Sequence, residues 1–454
     1  MNELLQRHYD FRPRVAVYGD AMLDEYYEVE ADKISPEFPI PVLRSGFSQP
    51  HAVALGGAAN VCAQFRNFNF DISLFALTNE RLKYLGARYG INMDGCIFSK
   101  SIPVKKRYYS GEFPLCRIDS ETSDYNYDRP HLHKLQTKIL ENLASSGPYD
   151  VVVFSNYEKG MFSGLNDFAS LAGDAITIVD PKAGPAERWK GCTILKPNAK
   201  EAKDITGLSD WKDQCEFLME ATNCQAVVIT RGGDDVVGNV QGVLFEYKPA
   251  FVSRARSVVG AGDCFVAFLA MCMCHSIDIR RAVAIAFEAC SNYVREPYNS
   301  PIYPYQLCED KFIDPRNLIG RDFSLSFANG CWDILHPGHV ELLEFARSKA
   351  DRLAVALNSD ESARRQGKSH PLINDLAYRK SMIASLGCVD FVLEFGEDTP
   401  YELIKKIKPD VLVKGSDWPD PIGSDIVAEV CSFGLVGGHS TTGIIEKIRS
   451  FDPT

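Results

Sequence analysis

The pattern of apolar positions predicts alternating buried strands and helices over most of the first two thirds of the chain. Short apolar runs are separated by longer segments of mixed polarity. Strands buried on both faces of a parallel sheet have such runs, and helices connect them across both faces. The predicted strands of this part are Arg14–Gly19, Asp150–Ser155, Ala175–Asp180, Cys192–Lys196 and Ala226–Thr230. The pattern therefore indicates an α/β domain.

Two segments near the N-terminus depart from this pattern and predict β-structure of another kind. Tyr27–Arg44 is extended but carries three prolines, which favour an edge strand or a protruding flap over a central strand. Val104–Asp119 predicts a hairpin that turns near Gly111. Between them, the glycine pair at 56–57 leads into a helix that is predicted to end near Phe68.

A second alternation of strands and helices begins at Ser324, after a proline-rich polar stretch over residues 298–322 that predicts a linker. We therefore predict a first domain over residues 1–316 and a smaller one over residues 322–454. The predicted strands of the second domain are Ser324–Ala328, Arg352–Asn358, Val389–Phe395 and Asp410–Lys414.

Composition narrows the class of partner. The 454 residues carry a net charge of −11, which argues against binding nucleic acid or an anionic membrane. The 14 cysteines show no zinc spacing, so reduced thiols packed as small apolar residues are expected. The sequence has neither an apolar signal core at the N-terminus nor a run near the ~20 apolar residues that span a bilayer. We expect a soluble cytoplasmic protein that binds small molecules.

The sequence Gly260-Ala261-Gly262-Asp263 opens an apolar helical stretch and predicts a phosphate site. Backbone N–H groups and the helix dipole at such a position favour a phosphate that gains charge during transfer. Asp263 in the first turn is placed to accept the proton of an attacking sugar hydroxyl. Taken alone, the motif is equally well explained as a helix cap.

Other polar and glycine-rich positions follow predicted strands in an order that makes coincidence improbable. Carboxylates and an amide that suit sugar hydroxyls stand beside a pair of glycines that permits close approach of a ligand. Later loops carry polar groups that suit magnesium, its bound waters and a nucleotide. Singly, each position has a turn or a helix cap as its alternative explanation. These positions are Asp20, Asp24, Gly56, Gly57, Asn60, Asn198, Glu201, Thr230 and Gly232.

These motifs resemble the ribokinase-like sugar kinase family over about residues 12–300. The resemblance implies a three-layer domain with a small β lid that often dimerises. It implies that Asp263 is the catalytic base, that Gly260, Ala261 and Gly262 form an anion hole, and that Asn198 and Glu201 organise magnesium. Sugar binding is implied for Asp20, Asp24, Gly56, Gly57, Asn60 and Lys159, and nucleotide binding for Thr230 and Gly232.

Three positions depart from the family pattern. Ser257 and Val259 stand where the family usually has Asp and Thr, and Asn156 stands where close relatives carry Asp. Loss of an acidic group beside the phosphates would weaken binding of ATP or magnesium. A second hypothesis therefore stays open, in which the N-terminal half is a binding or dimerisation module and only the other half is catalytic.

A second phosphate motif, His336-Pro337-Gly338-His339, follows a predicted strand and starts a helix. The histidines are three residues apart and share a face at the helix N-terminus, where they can donate hydrogen bonds to a triphosphate. Pro337 suits the first turn of a helix, and Gly338 permits close approach of a phosphate. No carboxylate or cysteine stands at a zinc-like spacing, so no residue is assigned as a direct metal ligand.

The longer segment Asn329–His339 resembles the cytidylyltransferase-like nucleotidyltransferases, and the likeness extends over about residues 323–450. It implies a Rossmann-like domain in which a sugar phosphate attacks the α-phosphate of a nucleoside triphosphate, with His336 and His339 as catalytic residues. The residues implied to bind the nucleotide are Asn329, Gly330, Lys368, Arg379, Lys414, Ser440, Thr441 and Thr442.

Together, the halves resemble the family of bifunctional heptose 7-phosphate kinases and heptose 1-phosphate adenylyltransferases. The resemblance implies two reactions of ADP-heptose synthesis for lipopolysaccharide, with ATP and Mg²⁺ as cofactors and a homodimer formed through the lid. The serine-threonine turn is shared with cytidylyltransferases, so CTP in place of ATP, or another sugar phosphate, remains an alternative.

Overall fold

The computed structural model describes residues 4–5, 11–44, 46, 49–111, 113–120, 129–164, 168–248, 257–295, 298–308, 311–366, 372–416, 421–434 and 441–450. The chain divides into two compact units, Met1–Ile302 and Tyr303–Thr454. The strands of the first unit are β1 (Arg14–Gly19), β2 (Ala21–Glu28), β3 (Glu30–Ile34), β4 (Pro41–Arg44), β5 (Ala52–Gly57), β6 (Asp71–Phe75), β7 (Leu77–Thr78), β8 (Ile97–Phe98), β9 (Val104–Ser110), β10 (Phe113–Ser120), β11 (Val151–Ser155), β12 (Ile176–Asp180), β13 (Ile194–Leu195), β14 (Ala226–Thr230), β15 (Val236–Val240) and β16 (Val243–Tyr247).

The first unit is built on an eight-stranded sheet with the order β16-β15-β14-β13-β12-β11-β1-β6. Its strands from β14 to β6 run parallel, and the two at the other edge are antiparallel. The parallel strands are buried along nearly their whole length, as their continuous apolar runs predict. The predicted α/β class and the five predicted strands are confirmed.

Seven helices of the first unit are described, and α6 is buried along most of its length. These helices are α1 (Ala58–Ala63), α2 (Glu80–Arg88), α3 (Arg129–Ser146), α4 (Ala199–Thr206), α5 (Trp211–Thr222), α6 (Ala261–Cys274) and α7 (Ile279–Tyr293). Ten consecutive residues of α6, from Asp263 to Cys272, are buried. A helix that is apolar on all sides belongs in a core, and this packing fixes the position of its N-terminal turn.

A separate four-stranded sheet forms the lid, in the order β10-β9-β2-β5. The predicted hairpin is present as β9 and β10. Their neighbours, however, are β2 and β5, and most of the predicted flap instead forms a two-stranded arm of β3 and β4. The difference arises because β2 follows the first core strand after a single residue, Asp20, and no turn signal separates the two strands in the sequence.

The second unit contains a five-stranded parallel sheet, β19-β18-β17-β20-β21. Its described strands are β17 (Leu325–Gly330), β18 (Arg352–Asn358), β19 (Phe391–Phe395), β20 (Val411–Gly415) and β21 (Glu429–Phe433), and its described helices are α8 (Pro337–Arg347), α9 (Asp360–Arg365), α10 (Leu376–Ala384), α11 (Tyr401–Ile407) and α12 (Thr441–Ser450). The four predicted strands correspond to β17 to β20, whereas the sequence pattern did not indicate the exposed strand β21.

Much of the proline-rich stretch that the sequence pattern assigns to a linker is part of the second unit. Two short 3₁₀ turns, Pro304–Leu307 and Pro315–Leu318, lie within it. Ile313 and Leu318 are buried in the core beneath the sheet of the second unit. Prolines and polar residues hide this packing in the sequence because they break its periodicity without preventing individual apolar side chains from being buried.

None of the helices in the described ranges combines the length and the apolar character needed to cross a membrane.

Candidate active sites

The N-terminal turn of α6 requires a glycine at its first position. Gly260 has φ +76°, in the left-handed region that glycine adopts at little cost. A Cβ at this position would lie 2.5 Å from Nδ2 of Asn60 and would also collide with the hydroxyl of Tyr293. Gly260 therefore lets the loop approach α1 and α7 closely, which brings Asn60 next to the first turn of α6.

Asp263 is buried in that turn, with 2% of its surface exposed. Its Oδ2 accepts a 2.8 Å hydrogen bond from Nδ2 of Asn60, and its Oδ1 accepts one from the hydroxyl of Tyr157. Burial raises the pKa of Asp263 to about 7, although both hydrogen bonds act in the opposite direction. Such a carboxyl group is matched to proton transfer near neutral pH.

A cavity of about 350 Å³ lies beside the N-terminus of α6. Six of the residues predicted to bind nucleotide or magnesium line it: Asn198, Glu201, Thr230, Gly232, Ala261 and Gly262. They come from α4, from the end of β14 and from α6, so the carboxyl ends of parallel strands meet the helix N-terminus at this cavity. Ligands of open α/β sheets bind at such an edge.

Asn198 and Glu201 form a capping box at the start of α4. Oδ1 of Asn198 accepts the N–H of Glu201 at 2.9 Å, and Oε2 of Glu201 accepts the N–H of Asn198 at 2.8 Å. The second carboxylate oxygen of Glu201 forms an ion pair with Lys182, while Asp180 pairs with Lys196 at 2.9 Å. The helix-cap interpretation and the ligand interpretation are therefore compatible at this position.

On the lid side, Asp24 is the centre of a buried polar network. Its carboxylate accepts a 2.8 Å hydrogen bond from Arg107 and a 2.9 Å bond from Nδ2 of Asn299. Burial raises the pKa of Asp24, and the cations of the lid oppose that effect. A Cβ on Gly56 would lie 2.5 Å from Oδ2 of Asp24, so the predicted glycine is needed for this contact.

Asp20 organises the loop that follows β11. Its carboxylate accepts backbone N–H groups from Tyr157 at 2.8 Å, Met161 at 3.0 Å and Lys159 at 3.2 Å. Gly57 has φ +58°, and a Cβ there would collide with the carbonyl of Asp20. The predicted sugar-site residues Asp20, Gly57 and Lys159 are thus brought together, and the observed contacts of Asp20 brace the loop.

In the second unit, His336 is the N-cap residue of α8, and His339 lies in its first turn. Their rings are stacked with centroids 3.8 Å apart, and the ring of Trp332 lies 5.1 Å from that of His339. Both imidazoles are partly exposed at the carboxyl end of β17. The predicted histidine pair is therefore held on one side of a helix N-terminus, beside the end of the sheet.

The loop between β17 and α8 is anchored from two sides. Nζ of Lys414 donates a 2.9 Å hydrogen bond to the carbonyl of Asn329. Asp333 accepts backbone N–H groups from Ile373 and Asn374 at 3.0 and 2.8 Å. Gly330 lies against the ring of Trp332, and a Cβ there would lie 3.0 Å from it. The predicted residues Asn329, Gly330 and Lys414 therefore lie together at the carboxyl end of β17.

Arg379 is fully buried, with 0% of its surface exposed. It donates to the carbonyl of Cys331 at 2.6 Å and to the carbonyl of Asn358 at 2.9 Å, and it pairs with Asp360 at 2.7 Å. These contacts join three loops at the end of the sheet. Nucleotide binding by Arg379 stays a prediction, and its described contacts are with protein groups.

The four remaining predicted residues lie at the edge of the described ranges or beyond it. Lys368 and Ser440 are outside the described residues. Thr441 and Thr442 begin α12, as the turn before a helix predicts, but their side chains are not described.

Comparisons with known proteins find relatives over nearly the whole length of the chain. A model of the pfkB family of carbohydrate kinases matches residues 117–301, and a cytidylyltransferase-like model matches residues 327–452. Bifunctional protein HldE of Hydrogenovibrio crunogenus is 32% identical over 97% of this chain and 97% of its own length. The protein of that name from Methylococcus capsulatus is 34% identical, over 96% of this chain and 98% of its own length.

The chain belongs to the bifunctional HldE family. It is a two-part enzyme with a carbohydrate kinase unit and a nucleotidyltransferase unit. Among solved structures, the tetrameric inhibited form of phosphofructokinase-2 from Escherichia coli matches 63% of this chain and 94% of its own chain, with a TM-score of 0.50 and 15% identity. This likeness supports the ribokinase-like fold of the first unit.

Several functional candidates of this HldE-family chain were missed from sequence. Arg107, Tyr157, Asp180, Lys182 and Lys196 lie in or next to the kinase site. Asp180 and Lys182 had a usable signal, because charged residues directly after a buried strand commonly lie at the ligand edge of the sheet. Tyr157 had none, since an aromatic residue in a loop is as common in a core as in a site.

The departures from the kinase pattern have local explanations. Oδ1 of Asn156 accepts the N–H of Glu158 at 2.9 Å, which closes a turn around Tyr157. Oγ of Ser257 accepts the N–H of Val259 at 3.3 Å in the approach to Gly260. Both substituted residues therefore shape the loops that carry the site.

Proposed function

We propose that the chain catalyses two reactions of ADP-heptose synthesis. The first unit transfers the γ-phosphoryl group of ATP to the C1 hydroxyl of D-glycero-β-D-manno-heptose 7-phosphate, and the second joins heptose 1-phosphate to AMP from ATP. The observation that carries the proposal is the presence, in one HldE-family chain, of a buried base beside a nucleotide-sized cavity and of a histidine pair at a second helix N-terminus.

In the kinase unit, Asp263 accepts the proton of the C1 hydroxyl as that oxygen attacks the γ-phosphorus of ATP. The bond from the γ-phosphorus to the bridging oxygen breaks, and ADP leaves with that oxygen. The backbone N–H groups of residues 260–262 donate to the phosphoryl oxygens as their charge builds. A base with a pKa of about 7 can take up the proton and release it again near neutral pH.

The cavity beside α6 suits ATP together with Mg²⁺. The carboxylates of Asp180 and Glu201 line it, and Mg²⁺ prefers oxygen ligands, many of them water. Magnesium bound here would neutralise the phosphates of ATP. Lys182 and Lys196, which pair with these carboxylates, supply further positive charge at the same edge.

In the transferase unit, a phosphate oxygen of heptose 1-phosphate attacks the α-phosphorus of ATP in line with the departing pyrophosphate. His336 and His339 donate hydrogen bonds to the phosphates as charge moves onto the leaving group. Lys414 positions the carboxyl end of β17 by donating a hydrogen bond to the carbonyl of Asn329. Ser440, Thr441 and Thr442 bind phosphate at the N-terminus of α12. No covalent intermediate is required.

Phosphorus NMR of the full chain with heptose 7-phosphate, ATP and Mg²⁺ tests the kinase proposal. We expect the 1,7-bisphosphate to form with wild type and not with Asp263→Asn. A second reaction with heptose 1-phosphate should yield ADP-heptose and pyrophosphate in both proteins, because Asp263 lies in the other unit. Failure of the wild type to form bisphosphate, with transferase activity intact, would support the module hypothesis for the N-terminal half.

The presence of Asp263 and its hydrogen bonds favours a working kinase over a binding module.

The choice of nucleotide in the second unit is tested by comparing ATP with CTP in the transferase reaction. We expect ATP to give the higher kcat/KM, and equal or better use of CTP would contradict adenylyl transfer.

The chain is further proposed to act in the cytoplasm, where ATP is available, and to dimerise through the lid. Apolar side chains are exposed on the arm and on the outer lid strand, including Ile34, Phe38 (66% exposed), Ile40 and Phe113. Clusters of this kind mark interaction surfaces. Sedimentation of wild type and Phe38→Asp tests the dimer, which the charged variant should weaken while leaving transferase activity unchanged.

A further inference from the structure

The inner face of the lid carries a group of three cations in a protein that is acidic overall. The register of the lid sheet places Lys105 beside Asp24 on one side and Asp119 on the other. Two residues further along, the same register pairs Arg107 with Arg117. Because side chains alternate across a strand, these five residues share one face of the sheet. The same alternation places Glu28 on this face, beside Tyr109, so three cations stand there with three carboxylates.

Two of these carboxylates, Asp24 and Asp119, are already paired with the arginines. Asp24 binds Arg107 at 2.8 Å, and Asp119 binds Arg117 at 2.8 Å. Within the described ranges, no carboxylate is placed within the 4.0 Å ion-pair distance of the Lys105 ammonium. The contact found for that ammonium is with the ring of Tyr157, 5.3 Å from its centroid. Lys105 is therefore the cation of this face without an ion-pair partner within that distance among the described residues.

Lys105 is also partly withdrawn from water. Burial lowers its pKa, against the opposing influence of Asp24. A partly buried ammonium without an ion-pair partner is costly, and an anionic ligand at the same place would offset that cost. The hydroxyl of Tyr157, whose ring Lys105 contacts, reaches the catalytic carboxylate of Asp263. The unpaired cation thus lies one side chain away from the base, on the lid side of it.

The cavity beside α6 has cations of its own, Lys182 and Lys196. Nζ of Lys182 lies 5.4 Å from the centroid of the same ring, and this lysine lines the cavity beside α6. Lys182 is paired with Glu201, and Lys196 with Asp180. Anionic groups of ATP therefore meet paired lysines at the cavity, whereas Lys105 belongs to a strand of the lid.

We propose that Lys105, supported by Arg107 and Arg117, binds the phosphate group that the sugar already carries when it enters the kinase site. The inference rests on the proposed kinase function and adds to it the residue that selects a phosphorylated sugar. Arg107 and Arg117 surround the site with positive charge, and their partners Asp24 and Asp119 hold them in place.

Steady-state kinetics of the full chain with two substrates tests this inference. The kinase reaction is measured with heptose 7-phosphate and with the same heptose lacking the phosphate, for wild type, Lys105→Ala and Lys105→Gln. Loss of one charge-assisted contact should raise the KM for heptose 7-phosphate by about tenfold to a hundredfold. The kcat/KM for the unphosphorylated heptose should change less than about twofold, so that the preference for the phosphorylated sugar falls.

Lys106→Ala is the matched control, because Lys106 is the next residue on β9 and lies on the opposite face of the lid, beside Glu25. It should leave both substrates unaffected. Equal losses on both substrates, or no loss on heptose 7-phosphate, would overturn the assignment of Lys105. A wild-type enzyme that phosphorylates neither sugar would instead refute the proposed kinase function, and the inference with it. Melting temperatures of both Lys105 variants within a few degrees of wild type would show that any loss comes from the site.

Discussion

The hydroxyl of Tyr157 donates a hydrogen bond to the carboxylate of Asp263, across 106 positions of sequence. The tyrosine stands in a loop that Asp20 holds by three backbone hydrogen bonds, whereas the aspartate stands in the first turn of a buried helix. The contact therefore links the loop held by Asp20 to Asp263, the proposed base. It also stabilises the ionised form of Asp263, which is the form that accepts a proton.

Replacing Tyr157 with phenylalanine should move the acidic limb of the kinase pH profile to higher pH. The hydrogen bond from Tyr157 lowers the pKa of Asp263, so its removal raises that pKa, and a larger fraction of the base is protonated below neutral pH. We expect a shift of about one pH unit in kcat/KM, the order expected for a hydrogen bond to a charged group. Tyr247→Phe, which removes a hydroxyl bound to Glu288, is the control. An unchanged limb would show that Tyr157 does not act on the base.

Asp263 should make the first unit less stable as the pH rises. Its folded-state pKa of about 7 lies above the ordinary value of 3.8, so the folded chain binds a proton that the unfolded chain releases. Stability is therefore highest below the ordinary value and falls as the pH rises through the folded-state value. We expect Asp263→Asn to raise the melting temperature by about 2 °C or more at pH 8. The gain should be smaller at pH 5, and equal gains at both pH values would contradict the assignment.

Gly260→Ala should greatly reduce kinase activity while leaving the transferase reaction intact. The added Cβ meets Asn60 and Tyr293, and the positive φ is unfavourable for alanine. Either adjustment displaces the N–H groups that receive the phosphoryl charge, for which we expect a loss of about a hundredfold or more in kcat. Gly46→Ala is the matched control, because a Cβ there meets nothing within 4 Å. Retention of kinase activity by Gly260→Ala would contradict the close-packing argument.

Arg379→Ala should destabilise the second unit, since it leaves Asp360 and the carbonyls of Cys331 and Asn358 without their donor. Breaking a buried ion pair by removing one partner costs about 3–5 kcal/mol. Chemical denaturation of the full chain, followed by a probe in the second unit, measures this cost. Lys380→Ala, which removes a more exposed partner of Glu394, should cost less than about 1 kcal/mol. A stable Arg379→Ala protein with a raised KM for ATP would favour nucleotide binding over bracing.

Local sequence patterns were sufficient for the elements that carry the chemistry. The strands Ala226–Thr230 and Arg352–Asn358 were predicted with the bounds that the structure gives, because uninterrupted apolar runs bounded by polar residues define buried strands. The two phosphate motifs were recognisable for a similar reason. Glycines before a helix, or histidines three residues apart at its start, have their geometry set by neighbours in the chain.

The same patterns failed where partners are distant in sequence. The lid strand β2 and the packing of Leu318 in the second unit's core depend on which surfaces meet after folding. No periodicity distinguishes Lys106 from Lys105, whose surroundings are decided by the register of β9 between its neighbours.

By itself, the sequence determined the two α/β units and the helix starts at Gly260 and His336, and it singled out Asp263 as the candidate base, since each depends on residues adjacent in the chain. Only the tertiary structure decided that Arg107 pairs with Asp24, 83 positions away, and that Tyr157 reaches Asp263. These pairings arise from sheet order and helix packing, which bring together residues that local burial patterns leave independent. The electrostatic setting of the candidate kinase site, including the pKa of Asp263, is therefore a property of the folded chain.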